Sequence, residues 1–107
     1  MIDDDLISFR RRCYQLTKQI PKGRVATYRL IAEALGGKAY RAVGTSMAKN
    51  PDIPATPCHR VIKSNGEIGQ YAYGSDKKSQ MLNAEGVPVK DNKVVDFEKY
   101  LHRFDKD

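Results

Sequence analysis

The chain has 107 residues, 40% hydrophobic and 30% charged, which fits one domain over 1–107 and excludes disorder and collagen-like repeats. No apolar run approaches the roughly 18 residues that cross a bilayer. The acidic start, MIDDDLISF, lacks a signal-peptide core, so an unsecreted, intracellular chain is expected, cytoplasmic or in the nucleoid or nucleus. The net charge of +6 is unevenly spread: between Leu6 and Lys63 twelve basic residues face two acids, Glu33 and Asp52. Such a block favours a polyanion such as nucleic acid; a solvated basic face is the bland alternative.

Leu6, Phe9, Cys13, Leu16 and Ile20 form one helical stripe, with Arg10, Arg11, Arg12 and Lys18 off it. Pro21 stops this helix and Lys22-Gly23 turns the chain. Thr27 is placed to N-cap a second helix, Tyr28 to Leu35, with Leu30, Ile31, Ala34 and Leu35 inward; Gly36-Gly37 ends it. A third helix is predicted from about Lys38 to Lys49, with Ala39, Ala42, Val43 and Met47 as its stripe, broken by Asn50-Pro51. The pair reads as a helix-turn-helix, a weak signal alone and a stronger one inside a basic block.

Three prolines then prevent a helix through PDIPATP. Arg60 to Lys63, a turn at Asn65-Gly66 and a return over Glu67 to Tyr71 predict a hairpin, placed like a wing. A last helix is expected from about Lys77 to Ala84, after Ser75-Asp76 and before Gly86. The tail holds a short strand candidate from Val87 and a charged end, Phe97 to Phe104. The expected fold is mainly α with a small β-hairpin wing: a winged helix-turn-helix DNA-binding domain.

Two cysteines, Cys13 and Cys58, are too few for a disulfide framework and read as free thiols. Cys13 lies on the first apolar stripe, which points to packing. Cys58 stands between Pro57 and His59 in the irregular segment. A thiol attacks as thiolate, an adjacent imidazole is its usual activator, and a carboxylate must orient that imidazole. Glu33, Asp52, Glu67, Asp76 and Glu85 are all candidates by spacing. As an isolated pair, Cys58-His59 reads more commonly as a buried structural cysteine beside a packed histidine. His102 falls in the charged tail. No zinc site is expected, because the cysteines and histidines lack paired ligand spacing.

Ile-Pro-Lys-Gly-Arg-Val-Ala-Thr-Tyr (20–28), Arg-Ala-Val-Gly (41–44), Asn-Pro (50–51), Pro-Cys-His-Arg-Val (57–61) and Ala-Glu-Gly (84–86) occur in this order. Together they resemble the C-terminal, DNA-binding and active-site domain of the O6-alkylguanine-DNA alkyltransferases, from about Phe9 to Val89. The resemblance implies that Cys58 accepts the alkyl group and that His59 is its base, acting through a water. It implies that Glu85 orients His59 and that Asn50 ties the helix-turn-helix to the active-site segment. Tyr28 would point its hydroxyl at the guanine edge. Pro57, Val61, Tyr71, Ala72 and Tyr73 fall at the pocket, Ala72 through its backbone N–H. The target base is flipped from the duplex. Arg41 would fill the vacated stack, on a recognition helix that enters the minor groove. Thr27, Tyr28, Arg29, Ala39, Tyr40, Arg41, Gly44, Lys49 and Lys63 are the implied DNA contacts. Small Ala39 and Gly44 would permit close approach to the groove, or else pack against a neighbouring helix.

Three departures stand out. Many members have a preceding N-terminal domain that this sequence does not include. Tyr40 and Thr45 replace residues that are often small, and Tyr73 stands where glycine is common. The implied activity is single-turnover transfer from duplex DNA containing O6-alkylguanine, by a monomer without cofactor or metal. One alternative is an alkyltransferase-like protein that flags the lesion for downstream repair proteins without transfer; such proteins usually carry Trp or Ala in place of the cysteine. The other is a winged-helix regulator without chemistry.

Overall fold

The computed structural model of the chain describes residues 4–53 and 55–104. The side chain of Leu6 and the whole of Pro54 lie outside the described residues.

Helix α1 (Asp4–Lys18) packs on α3 (Tyr40–Ala48), which packs in turn on α2 (Tyr28–Ala34). The α1 stripe is realised by Cys13, buried, and by Phe9 and Leu16, half-buried; Ile20 is buried just past the helix end. Two polar residues also join this interface. Thr17 returns its hydroxyl to Cys13 O at 2.7 Å, and Tyr14 donates its phenol to Ser46 O at 2.7 Å. Thr27 caps α2 by accepting from the Leu30 N–H at 3.0 Å. The helix ends in a Schellman motif, with Gly37 N–H on Ala32 O and Gly36 N–H on Glu33 O. Helix α3 starts at Tyr40, later than the sequence pattern places it. Ala39 is its N-cap and is exposed, so the buried stripe is Val43, Ser46 and Met47.

A hairpin pairing 60–63 with 67–71 is not what forms. Strand β1 (Ala26–Thr27) pairs in parallel with β2 (Val61–Ile62), Ala26 opposite Val61 and Thr27 opposite Ile62. The chain does turn at Asn65-Gly66, closed by Lys63 N–H to Glu67 O at 2.8 Å. Beyond the turn, however, Glu67 bridges to Lys93 and Ile68 N–H donates to Asn92 O. The antiparallel hairpin is β3 (Val89–Lys90) with β4 (Lys93–Val94), on a turn of Asp91 and Asn92, both with positive φ.

Helix α4 (Ser75–Ala84) starts two residues early, because Gly74 serves as N-cap and Ser75 and Asp76 form its first turn. It ends in a second Schellman motif: Val87 N–H reaches Leu82 O at 2.9 Å and Gly86 N–H reaches Asn83 O at 3.0 Å, with Leu82 and Val87 both fully buried. After a 3-10 turn at Phe97–Tyr100, Leu101 bridges in parallel to Val25.

The interior has two compartments. One holds Cys13, Ile31, Val43, Met47, Cys58, Ala26 and Val61. The other holds Val25, Ile62, Ile68, Leu82, Val87 and Val94. Side chains alternate across a strand, so the β1–β2 pair sends Ala26 and Val61 to one side and Val25 and Ile62 to the other.

Candidate active site and nucleic-acid interface

The segment after α3 is irregular but held. Asn50, buried at the helix end, donates its amide to Thr56 O at 2.8 Å and accepts the Asp52 N–H at 3.0 Å. That clip brings the chain into a 3-10 turn, Cys58–Arg60, with Cys58 N–H on Thr56 O. Parallel pairing of β2 with β1 then fixes this turn beside the start of α2. Cys58 is 5% exposed and lines a cavity of about 570 Å3 with Tyr28, Arg41, Gly44, Met47, Lys63, Tyr71 and Ala72, among others.

Behind Cys58, His59 is 2% exposed and its Nε2 meets Glu85 Oε2 at 3.0 Å. Arg60 grips the same carboxylate in two places, Nε to Oε1 at 2.9 Å and Nη2 to Oε2 at 2.8 Å, while its Nη1 donates to Ile20 O at 2.9 Å. Glu85 is the C-cap residue of α4, and Gly86 after it has φ +90. The left-handed Gly86 is what completes the cap and sets the backbone from which Glu85 reaches His59.

The charge states follow. Burial raises the Glu85 carboxyl, but the hydrogen bonds from Arg60 and His59 outweigh that and hold it below the usual carboxylate range. Burial lowers His59, and the Arg60 and Lys78 charges add to it; the opposing Glu85 hydrogen bond and charge do not reverse the direction. At neutral pH the imidazole is neutral and the carboxylate ionised. A carboxylate only accepts, so Nε2 carries the ring proton. Nδ1, buried and without a protein hydrogen-bond partner, keeps its lone pair.

Burial, with the charge of Cys58 added, pushes the Tyr28 hydroxyl up to about 12, so it remains a donor. Gly69 stands beside it: a Cβ there would be in ordinary contact with Tyr28 Oη at 3.4 Å and Lys63 Cγ at 3.7 Å, so it is the φ of +76, which side chains rarely adopt, that favours glycine. Lys78 has no signal in the sequence. It sits in the polar run Asp76-Lys77-Lys78-Ser79-Gln80, yet it is fully buried, donating Nζ to Val61 O at 2.8 Å and Gln70 O at 3.1 Å. It thereby pins the strand after Cys58 to the wall carrying Tyr71. Burial pulls its ammonium down to about 8, against an opposing pull from Cys58.

The other expected positions divide. Tyr71 and Ala72 line the cavity; Pro57, Val61 and Tyr73 do not. Val61 is buried in the β1–β2 pair, and Tyr73 is 64% exposed with its ring edge-on to Tyr71. Arg41 is exposed on α3 and Lys49 at its C-cap, Tyr40 is 40% exposed, and Arg29 is exposed and paired with Glu33 at 3.6 Å. Thr27 is buried with its hydroxyl on the α2 cap, so its side chain offers DNA no face. A Cβ at Gly44 would meet nothing within 4 Å, so no neighbouring helix requires glycine there. Cys13 is buried beneath α3, where burial pushes its thiol up. Arg60, Gly69 and Lys78 are the site residues that sequence patterns did not single out. Among the described residues no group of three His, Cys, Asp or Glu side chains is placed to hold a metal, and no helix is long and apolar enough to cross a membrane.

Against known proteins, the family model for the 6-O-methylguanine DNA methyltransferase DNA-binding domain matches residues 8–87. A methylated-DNA--protein-cysteine methyltransferase of Metallosphaera sedula is 43% identical over 83 residues, 78% of this chain and 52% of that protein. The chain spans about half the length of such curated relatives. The O6-methylguanine-DNA methyltransferase of Pyrococcus kodakaraensis superposes with a TM-score of 0.67 at 42% identity, over 74% of this chain and 46% of that one. S. pombe Atl1, crystallised with damaged DNA containing O6-carboxymethylguanine, superposes with a TM-score of 0.80 at 28% identity, over 96% of this chain and 99% of that one. With three quarters of its length inside that family model, and with Cys58 at the cavity backed by the His59–Glu85 pair, the chain belongs to the 6-O-methylguanine DNA methyltransferase family.

Proposed function

We propose that this chain binds duplex DNA through α3, draws an O6-alkylguanine into the cavity and moves its alkyl group to Cys58 Sγ. The observation that carries the reading is the order of groups at the cavity floor. A thiol lines the cavity, a neutral imidazole follows it in the same turn, and an ionised carboxylate fixes the imidazole so that Nδ1 is the free base. His59 Nδ1 takes the thiol proton, through a water. The sulfur attacks the alkyl carbon, the S–C bond forms as the C–O6 bond breaks, and guanine leaves with the bonding pair on oxygen. Tyr28 stays protonated and donates to the guanine edge, which makes guanine a better leaving group. The proton lost by the thiol balances the one that guanine regains. Arg41, exposed at the cavity mouth, fills the gap left by the flipped base. The thioether is stable, so each molecule reacts once.

Intact-mass spectrometry after incubation with a duplex carrying one O6-methylguanine tests this: a gain of one methylene, mapped to Cys58, is expected. Damage recognition without transfer is the second reading. It is favoured by the full-length match to Atl1 and opposed by the cysteine at the cavity floor. An unchanged mass with retained lesion-selective binding would establish it over transfer.

A further inference from the structure

We infer that the cavity selects O6-adducts ending in a carboxylate, with Lys63 as the cation that reads the carboxylate; this rests on the lesion-binding reading above. The cavity lining carries two cations, Arg41 and Lys63, and no acid. Arg41 sits on α3 at the cavity mouth, where the stack must be filled, which leaves Lys63 for the adduct. Its stem lies along the cavity lining while the side chain stays exposed: Lys63 follows β2, its backbone closes the Asn65-Gly66 turn, and its Cγ and Tyr28 Oη both lie close to Gly69. The group that faces the guanine edge and the stem of Lys63 thus flank one point.

Two further observations favour an anion over a neutral alkyl tail. Tyr71, on the same wall, has a buried hydroxyl without a hydrogen-bond partner, and such a donor gains most from an acceptor brought by a ligand. The ion pair that occupies Lys63 is weak: Glu67 Oε2 lies 3.7 Å away, both side chains are more than half exposed, and Glu67 is not part of the cavity lining. An adduct carboxylate can replace Glu67 at little cost. Behind the wall the Lys78 ammonium adds to the positive potential. Transfer of a carboxymethyl group follows the same balance: S–CH2 forms, CH2–O6 breaks, and the carboxylate keeps its charge throughout. Lys63 also offsets the repulsion between that charge and the incoming thiolate.

The test compares two duplexes identical except at one guanine, O6-carboxymethyl in one and O6-carbamoylmethyl in the other. The adducts match in size and differ in charge. Because the phosphates are shared, any backbone contact of Lys63 cancels in the affinity ratio. Wild type is expected to prefer the carboxylate about fivefold, the effect of one half-exposed ion pair. Lys63→Gln should bring the ratio to about one, Lys63→Arg should keep it, and Glu67→Gln, which frees Lys63, should widen it. A wild-type ratio at or below one, or a ratio unchanged in Lys63→Gln, overturns the inference. If Lys63→Gln does not fold, Glu67→Gln decides: a widened ratio supports the inference and an unchanged one overturns it. Intact mass on the same samples separates the two claims. No mass gain from either adduct sinks the transfer reading, while the binding ratio still judges Lys63.

Discussion

Replacing Glu85 by glutamine probes the site from behind. The carboxylate accepts from His59 Nε2 at 3.0 Å and from Arg60 at 2.9 and 2.8 Å, with side-chain exposures of 3% for His59, 13% for Glu85 and 16% for Arg60. A glutamine amide has one oxygen and one NH2, so at least one of those three donors would face another donor. Arg60 would also keep its charge with no carboxylate to neutralise it, only the amide oxygen and Ile20 O to accept from it. Removing one side of a buried ion pair costs about 3–5 kcal/mol; the residual exposure of Arg60 places this case near about 3 kcal/mol. For a domain of this size that lowers Tm by roughly 12–20 °C, read by calorimetry at pH 7. Acid sharpens the test. Both groups have depressed folded-state values, so each contributes stability above its unfolded value and loses it as pH falls. His59 starts to be lost below about 6.5 and Glu85 below about 4.5. Only the second loss disappears in Glu85→Gln, so the Tm gap to wild type should narrow between about pH 5 and 3. Single-turnover transfer at pH 7 should slow by about 100-fold as His59 loses its fixed tautomer. A Tm gap constant with pH, or a wild-type rate in the variant, would refute this account of the pair.

Arg41→Ala should weaken repair of duplex substrate while reaction with free O6-benzylguanine changes little, because a free base leaves no gap in a stack; equal losses on both would assign Arg41 to the fold. Affinity for duplex should fall with salt with a log–log slope of roughly −2 if Arg29 and Lys49 each neutralise a phosphate, at about 0.9 per contact, and a flat titration would remove both from the backbone. Gly86→Ala, at φ +90 with no neighbouring atom in the way, should cost about 1–2 kcal/mol through backbone strain alone and slow transfer by loosening Glu85; an unchanged Tm would show that the cap relaxes freely.

The helices were legible because each carries a buried stripe with a stop: Pro21 after α1, Gly36-Gly37 after α2, Asn50-Pro51 after α3. The strands were not. Each is two residues long, and β2 pairs in parallel with a segment 35 residues earlier, which no local pattern announces. Asn65-Gly66 is a genuine turn, but β2 already has a partner. The hairpin formed instead at Asp91-Asn92, a pair that tolerates positive φ and stands between Val89-Lys90 and Lys93-Val94. At the site, spacing offered five carboxylates for His59. Family resemblance singled out Glu85, and the Schellman cap explains why that residue is the one within reach. Lys78 was hidden because burial of a lysine is decided by the carbonyls that meet it, here Val61 and Gln70, and neither is adjacent to it in the chain.

The two-residue parallel pair has a consequence for tuning heat resistance. Its strands wall off an interior that holds Cys58 from one built largely by α4 and the tail, where Val94 is buried with Val89, Phe97, Tyr100 and Leu101 against it. The family model stops at residue 87, so the part of that compartment supplied by Val89, Val94, Phe97, Tyr100 and Leu101 lies outside the matched residues. Substitutions there can raise or lower melting temperature on a different set of contacts from those that shape the cavity. A lineage moving between cold and hot habitats could therefore adjust its tail and leave the Cys58 side of the partition as it stands.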